Sequence, residues 1–128
     1  MPSSEPLLLI ADVAARGLGC MMIYSNYLWH SDPAKTAKVF GLANPTPREA
    51  ELGRGLGGRN AAVGLAVLAL SLTEQRRAVS ILFASWTIVG LTDIAICLRP
   101  SGNRNVTHHI VGTSICAAVG LGHWLLLR

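Results

Sequence analysis

Charged residues are scarce in this sequence. Only 14% of its 128 residues are Asp, Glu, Lys or Arg, whereas an ordinary soluble domain contains roughly 25%. A soluble domain of this size needs more charge to cover its surface, so the composition argues against a soluble four-helix bundle, which stays an alternative. The net charge of +4 comes without a basic run or a cluster of aromatic residues. We therefore expect no nucleic-acid partner.

Cysteine is also rare. Cys20, Cys97 and Cys116 lie far apart, each inside an apolar segment, and no two of them form a CxxC pair. This spacing argues against a disulfide framework and against a zinc site. We expect three buried thiols that pack as small apolar groups, and we predict no metal and no other cofactor.

Apolar residues make up 51% of the chain, and they gather in four stretches near the length that a bilayer requires. A hydrocarbon core about 30 Å thick takes roughly 20 helical residues to cross. No stretch alternates apolar and polar residues as a half-buried strand does. The sequence therefore predicts an all-α fold, a single domain over residues 1–128 that forms an antiparallel, up-down-up-down bundle of four transmembrane helices. The predicted helices cover residues 7–29, 47–72, 75–98 and 105–127.

Capping residues mark several helix ends. The segment 46–49, Thr-Pro-Arg-Glu, predicts a capping box with the preferred N-terminal proline at the start of the second helix. In the segment 71–74, Ser-Leu-Thr-Glu, a hydroxyl is expected to cap the third helix after a tight turn. Residues 100–103 predict the turn before the last helix, with Asn103 or Asn105 as its cap.

Basic residues near the helix ends predict the orientation. One face would carry Lys35, Lys38, Arg48, Arg99 and Arg104, and the other would carry Arg76, Arg77 and Arg128. The excess on the first face favours that face as the cytosolic one. We expect an integral protein of an internal membrane, such as the endoplasmic reticulum, with both termini outside the cytosol.

Three ionisable residues fall at one predicted depth in the membrane. Arg59, Asp93 and His109 belong to three different helices, and each lies five or six residues inside an arginine that marks the same face. At 1.5 Å per helical residue, all three lie roughly 7–9 Å below that face. The first helix leaves through the same face and brings Asn26 and Tyr27 to this depth. The sequence therefore predicts a polar layer across the bundle.

Helical wheels place small residues beside these ionisable groups. Asp93 shares a stripe with Gly90 and Trp86, and Arg59 shares one with Gly55 and Ala62. Small residues next to a charge indicate close helix contact or a cavity wall rather than lipid. We therefore expect the ionisable side chains to converge inside the bundle.

Other charged residues in the spans have simpler interpretations. Asp12 and Arg16, one turn apart, are expected either to neutralise each other or to reach towards the polar layer. His123, near the end of the last helix, is expected at the opposite interface. Arg59 and Asp93 could themselves be a buried ion pair that fixes helix register without doing chemistry.

Four features carry a family resemblance, namely residues 38–42 (Lys-Val-Phe-Gly-Leu), residues 58–64 (Gly-Arg-Asn-Ala-Ala-Val-Gly), Asp93 and residues 109–113 (His-Ile-Val-Gly-Thr). In these features the chain resembles small four-helix membrane proteins of fungi and bacteria. They share a domain of unknown function and an architecture like that of the DoxX group. The resemblance implies the fold and directs attention to Arg59, Asp93 and His109, but it implies no activity.

The same resemblance bears on the substrate. In members of this family, the arginine that corresponds to Arg59 is typically followed by Asp. This chain has Asn60 there, so it lacks a second carboxylate at that position. Some fungal members are encoded beside polyketide or terpenoid pathways. By analogy, this implies a lipophilic metabolite as substrate.

Our leading hypothesis is a cofactor-independent enzyme that uses general acid–base catalysis in a pocket within the membrane. Asp93, Arg59 and His109 are the predicted catalytic residues, since a carboxylate, a guanidinium and an imidazole can transfer protons and stabilise charge. The substrate would be a polyketide- or terpenoid-like small molecule that enters from the lipid bilayer. We favour epoxide opening or hydrolysis, or cyclisation, over isomerisation. The residues expected to bind this substrate are Asn60, Asn26, Tyr27, Arg16, Asp12 and Trp86.

Two other hypotheses stay open. A non-catalytic scaffold or accessory subunit would use the polar residues only to specify packing, and it would contain no pocket. A transporter or proton-conducting protein would require a homo-oligomer, because four helices are few for a pore. It would also require a water-filled path from Asp12 and Arg16 to the layer of Asp93.

Overall fold

The chain is helical through most of its length. The structure, a computed structural model, describes residues 5–99 and 106–127. Its helices are α1 (Glu5–Ser31), α2 (Pro33–Val39), α3 (Pro47–Leu72), α4 (Arg76–Cys97) and α5 (Thr107–Leu126). No strand occurs in the described residues, so the prediction of an all-α fold with four long helices is confirmed.

The four long helices suit a membrane. α1, α3, α4 and α5 are each long and apolar enough to cross one, and their 20 to 27 residues span about 30–40 Å at the helical rise. Large aliphatic side chains such as Leu9, Leu65 and Ile88 are exposed on their outer surfaces. Such a surface is unfavourable in water and favourable in lipid, so the chain is an integral membrane protein.

The connection from α1 to α3 contains a short helix, α2, that was not among the predicted helices. Asp32 caps α2, because its carboxylate accepts a hydrogen bond from the backbone N–H of Lys35 at 2.9 Å. Pro33 occupies the first helical position, where a proline is favoured. The Asp-Pro pair at residues 32–33 is therefore the sequence signal for the start of α2.

The predicted helix ends are partly correct. The capping box at α3 is present. The Thr46 hydroxyl accepts a hydrogen bond from the backbone N–H of Glu49 at 3.3 Å, and the Glu49 carboxylate accepts one from the backbone N–H of Thr46 at 2.7 Å. The predicted hydroxyl cap of α4 is wrong. Thr73 is the C-cap of α3, and Glu74 adopts a left-handed backbone conformation in the tight turn. Gln75 is the N-cap of α4, but its side chain makes no capping hydrogen bond. The predicted turn at 100–103 and the caps Asn103 and Asn105 lie outside the described residues.

Helices α1 and α3 pack closely through glycines. A Cβ atom built on Gly64 would lie 2.5 Å from the backbone oxygen of Gly19, and one built on Gly57 would lie 2.9 Å from Trp29. Small residues let helix backbones approach closely in lipid. The stripe of Gly55 and Ala62, predicted to make such contacts, instead faces outwards: Ala62 is exposed and a Cβ on Gly55 would meet nothing within 4 Å.

Helices α4 and α5 form the second close pair. The Ser80 hydroxyl donates a 2.6 Å hydrogen bond to the Gly120 carbonyl, and Gly90 lies directly against Thr113. α1 also contacts α5, and α3 contacts α4. The shared core contains Ala15, Leu18, Met22, Val67, Val79, Phe83, Cys116 and Val119. The alternating order of all four helices stays a prediction.

Two of the cysteines pack as predicted. Cys97 and Cys116 are buried. Cys20 is exposed, so its predicted burial is wrong, because it lies on the side of α1 that faces away from the other helices.

The α1–α3 contact gives a test of the packing. Gly64→Ala should lower the free energy of unfolding by about 1–3 kcal/mol, since the added methyl group meets backbone rather than a movable side chain. Gly55→Ala, in the same helix, should be neutral or stabilising by up to about 1 kcal/mol. Unfolding of both variants in mixed micelles, followed by circular dichroism, measures this difference. Equal stability of the two variants would contradict the packing described.

Candidate functional site

Three ionisable side chains from three helices meet at Asp93. Its Oδ2 atom lies 3.8 Å from Nη2 of Arg59 on α3 and 4.0 Å from Nδ1 of His109 on α5. Both distances exceed hydrogen-bond length, so the carboxylate faces the two basic groups without being bonded to either. We call these three residues the Asp93 cluster.

Aromatic rings surround the Asp93 cluster. The Arg59 guanidinium lies 5.2 Å from the centre of the Trp86 ring, a distance typical of a cation–π contact. Phe40 meets His109 edge to face, with ring centres 4.9 Å apart, and its other neighbour is Trp29 at 5.3 Å. These rings restrict the positions that the guanidinium and the imidazole can take.

A cavity opens on one side of the Asp93 cluster. This core chamber, of about 270 Å³, lies between the helices and is lined by apolar groups that include Leu18, Met22, Trp86 and Cys116. Its size is near the lower end of the range for small-molecule sites.

A second cavity opens on the other side. This outer chamber, of about 520 Å³, has Trp29, Glu49, Arg59 and Arg99 among its lining residues. Phe40, Asp93 and His109 line both chambers. The carboxylate and the imidazole therefore belong to a wall that the two chambers share, and only the outer chamber adds the charged side chains of Glu49, Arg59 and Arg99.

Several polar atoms at this wall have no partner. Arg59 Nε, His109 Nε2 and Trp29 Nε1 are buried and make no hydrogen bond within the part of the chain that the structure describes. None of the described residues donates a hydrogen bond to Asp93 either. Buried polar groups are nearly always paired in proteins, so this site has bonding capacity left for a ligand or water.

The asparagines predicted to bind substrate take different places. Asn60 lines the core chamber, donates a 3.0 Å hydrogen bond to the Ser25 hydroxyl and leaves its own Oδ1 atom without a partner. Asn26 is half-buried beside Gly57, also with an unpartnered Oδ1, and it lines neither chamber. Asn60 is therefore the better placed of the two.

Tyr27 does not join the Asp93 cluster. Its side chain is exposed on the outer surface of α1 and stacks on Tyr24, with ring centres 5.9 Å apart. Tyr27 follows Asn26 by one residue, and the rotation of about 100° between successive helical positions turns it towards lipid. Its predicted placement in the polar layer is wrong.

Asp12 belongs to a separate cluster at the other end of the bundle. Its carboxylate accepts hydrogen bonds from Nε and Nη2 of Arg76, at 2.8 to 3.1 Å, and lies 3.0 Å from Nε2 of His123. Asp12 and His123 are buried. We call Asp12, Arg76 and His123 the Asp12 cluster.

The Asp12 cluster corrects two predictions. Asp12 does not pair with Arg16, whose Nη2 atom instead donates a 3.3 Å hydrogen bond to the Ser71 carbonyl. His123, expected near the opposite interface as a side chain that reaches out to the headgroups, is instead 1% exposed inside the bundle. Position along the helices could have predicted the Asp12 cluster. Asp12, the first residue of α4 and the last turn of α5 all lie towards the end of the bundle opposite the Asp93 cluster.

The two carboxylates therefore have opposite environments. Asp12 has its hydrogen-bonding capacity filled by a bidentate arginine and a histidine, which is the pattern of a structural ion pair. Asp93 faces a guanidinium and an imidazole at longer range and borders two cavities. The described residues contain no group of three His, Cys, Asp or Glu side chains that could hold a metal ion.

Residues 17–123 match the model of the family described as Domain of unknown function (DUF4267). The chain belongs to this family. No curated protein and no solved structure matches it. The matched range contains all of the Asp93 cluster but not Asp12. The family description assigns no activity.

The contrast between the carboxylates predicts unequal effects on stability. Asp12→Asn should lower the free energy of unfolding by about 2–3 kcal/mol, because an amide replaces the acceptor of charged hydrogen bonds and turns an N–H towards Arg76. Asp93→Asn should cost less than about 1 kcal/mol, because Asp93 accepts no close bond. Unfolding in mixed micelles measures both. A larger loss for Asp93→Asn would contradict this assignment.

Proposed function

We propose that the protein is a membrane-embedded enzyme that acts on a lipophilic small molecule by general acid–base catalysis. One observation carries the proposal. The Asp93 carboxylate stands in the wall between two chambers, faces Arg59 and His109 at 3.8 and 4.0 Å, and has unfilled bonding capacity.

The spacing within the Asp93 cluster suits a bridging oxygen atom. Two hydrogen bonds of ordinary length, about 2.8 Å each, can join one substrate or water oxygen to both Asp93 and His109 across 4.0 Å. The Arg59 guanidinium is close enough to stabilise negative charge on such an oxygen. Asn60 lines the core chamber, and its buried Oδ1 atom has no partner among the described residues, so a small rotation of this amide would let it orient the nucleophile.

Epoxide opening is the reaction that these groups serve best. Asp93 takes the proton of a water molecule or of a hydroxyl of the substrate, and the nucleophile attacks an epoxide carbon. As the C–O bond breaks, protonated His109 gives its proton to the departing oxygen, and Arg59 stabilises the charge that develops there. The proton on Asp93 then returns to His109, and no cofactor is consumed.

The chambers favour this proposal over the scaffold hypothesis. A scaffold would bond its buried carboxylate closely, as Arg76 and His123 bond Asp12, and would have no cavity at Asp93. The transporter hypothesis requires a path between the two ends of the bundle, whereas neither chamber is lined by a residue of the Asp12 cluster. The homo-oligomer, the internal membrane and the orientation of the termini stay predictions.

The proposal predicts the effect of removing the carboxylate. Purified protein in lipid nanodiscs should open lipophilic epoxides such as styrene oxide or stilbene oxide, and Asp93→Asn should reduce the rate at least about 100-fold, the usual size of a general acid–base contribution. Glu51→Gln is the matched control, because Glu51 is an exposed carboxylate paired with Arg54 away from the Asp93 cluster. Its rate should equal that of the unchanged protein.

Product analysis in ¹⁸O-labelled water separates hydrolysis from cyclisation, since only hydrolysis places the label in the product. Comparing the lipophilic metabolites of cells with and without the gene extends the search to the natural substrate. If Asp93→Asn turns over a substrate at the unchanged rate, the catalytic role of Asp93 is wrong.

A further inference from the structure

The two chambers differ in chemistry on either side of one wall. Beyond the wall, the core chamber is lined mainly by apolar side chains such as Leu18, Met22 and Cys116, and its other polar lining groups, among them Ser25 and Asn60, carry no full charge. The outer chamber has the charged side chains of Glu49 and Arg99 in its lining. A ligand that fills both chambers must therefore have one apolar end and one polar end.

Three unpartnered nitrogen atoms belong to side chains that line the outer chamber. Trp29 is almost completely buried, and its indole N–H has no acceptor among the described residues. Arg59 Nε and His109 Nε2 are in the same condition, and all three side chains line the outer chamber. An indole and a guanidinium N–H only donate, so the ligand needs an oxygen that accepts.

We propose that the site binds a single-chain amphiphile, an alkyl or isoprenoid chain with a hydroxyl or epoxide oxygen near one end. The chain occupies the core chamber, and the oxygen lies at Asp93 and His109. The placement of the oxygen at Asp93 and His109 rests on the proposed function. The binding of the chain in the core chamber is tested without turnover.

Phe40 determines how far this ligand can extend. Its ring lines both chambers and packs between Trp29 and His109. The next residue, Gly41, has a φ of +92° and lies so close to Cys97 that an added Cβ would be 3.1 Å from its sulfur. The positive φ favours glycine there, so the chain can turn directly after Phe40 while the ring stays between Trp29 and His109.

The tryptophans allow each cavity to be observed separately. Trp86 lines the core chamber and Trp29 lines the outer chamber. Trp124 lines a third cavity, a groove between α4 and α5 that is separate from the Asp93 cluster. Bromine quenches indole fluorescence on contact, so a brominated chain reports which tryptophan it reaches.

The test titrates 8-bromooctan-1-ol into the protein in lipid nanodiscs, with 1-bromooctane as the compound that lacks the oxygen. We expect saturable quenching by the alcohol in the unchanged protein and in Trp124→Phe, and its loss in Trp86→Phe, where Phe keeps a ring beside Arg59. The bromoalkane should give only linear quenching from its partition into lipid. Saturable quenching that survives Trp86→Phe, or that is equal for both compounds, overturns the inference.

The role of Phe40 is tested with a longer probe. Phe40→Ala should bind 12-bromododecan-1-ol roughly tenfold more tightly than the unchanged protein does, because the additional methylenes enter the joined chamber. Binding of the eight-carbon alcohol should change less. If circular dichroism shows that Phe40→Ala is unfolded, Phe40→Leu replaces it. An unchanged length preference overturns the role of Phe40.

Failure of this inference and failure of the proposed function are distinguishable. Saturable quenching at Trp86 without turnover of any epoxide supports the binding site and contradicts the enzyme. Turnover that depends on Asp93, without saturable quenching at Trp86, supports the enzyme and overturns the amphiphile.

Discussion

The Asp12 carboxylate bonds α1, a helix of one close pair, to both helices of the other pair. α1 packs on α3 and α4 packs on α5, whereas the bonds of Asp12 run from α1 to Arg76 on α4 and His123 on α5. Lipid provides no hydrophobic force that drives helices together, so packing and polar contacts must do so. Held together at this end, the bundle can leave space between the pairs at the other end, where the two chambers meet at Asp93.

Under the proposed function, the two ends of the bundle divide stability from catalysis. The Asp12 carboxylate accepts close hydrogen bonds from Arg76 and lies 3.0 Å from His123, and the contact between Gly19 and Gly64 brings α1 and α3 together. The Asp93 cluster keeps charged groups about 4 Å apart, an arrangement that contributes little to folding. Active sites commonly retain such unfavourable arrangements, which the rest of the fold has to compensate.

Features that depend on one helix could be predicted from the sequence, and features that depend on helix neighbours could not. The length of the apolar stretches predicted the four long helices, and the segment 46–49 predicted the start of α3. The depth of Arg59, Asp93 and His109 along three helices also followed from simple counting. The partner of Asp12 did not, since a helical wheel shows which side chains share a face but not which helix lies opposite. The same limit explains why Phe40 was missed: its place in the wall depends on how the connection containing α2 folds back over the bundle.

The burial of Asp12 also has a consequence for how the protein is made. Synthesis proceeds from the N-terminus, so α1 emerges before the helices that carry Arg76 and His123 exist. A carboxylate in an isolated span disfavours insertion by about 2.5–3.5 kcal/mol at the membrane centre and by less near an interface. The first helix therefore enters the bilayer before Asp12 has the partners that it has in the bundle, and this carboxylate gains them only when α4 and α5 have been inserted.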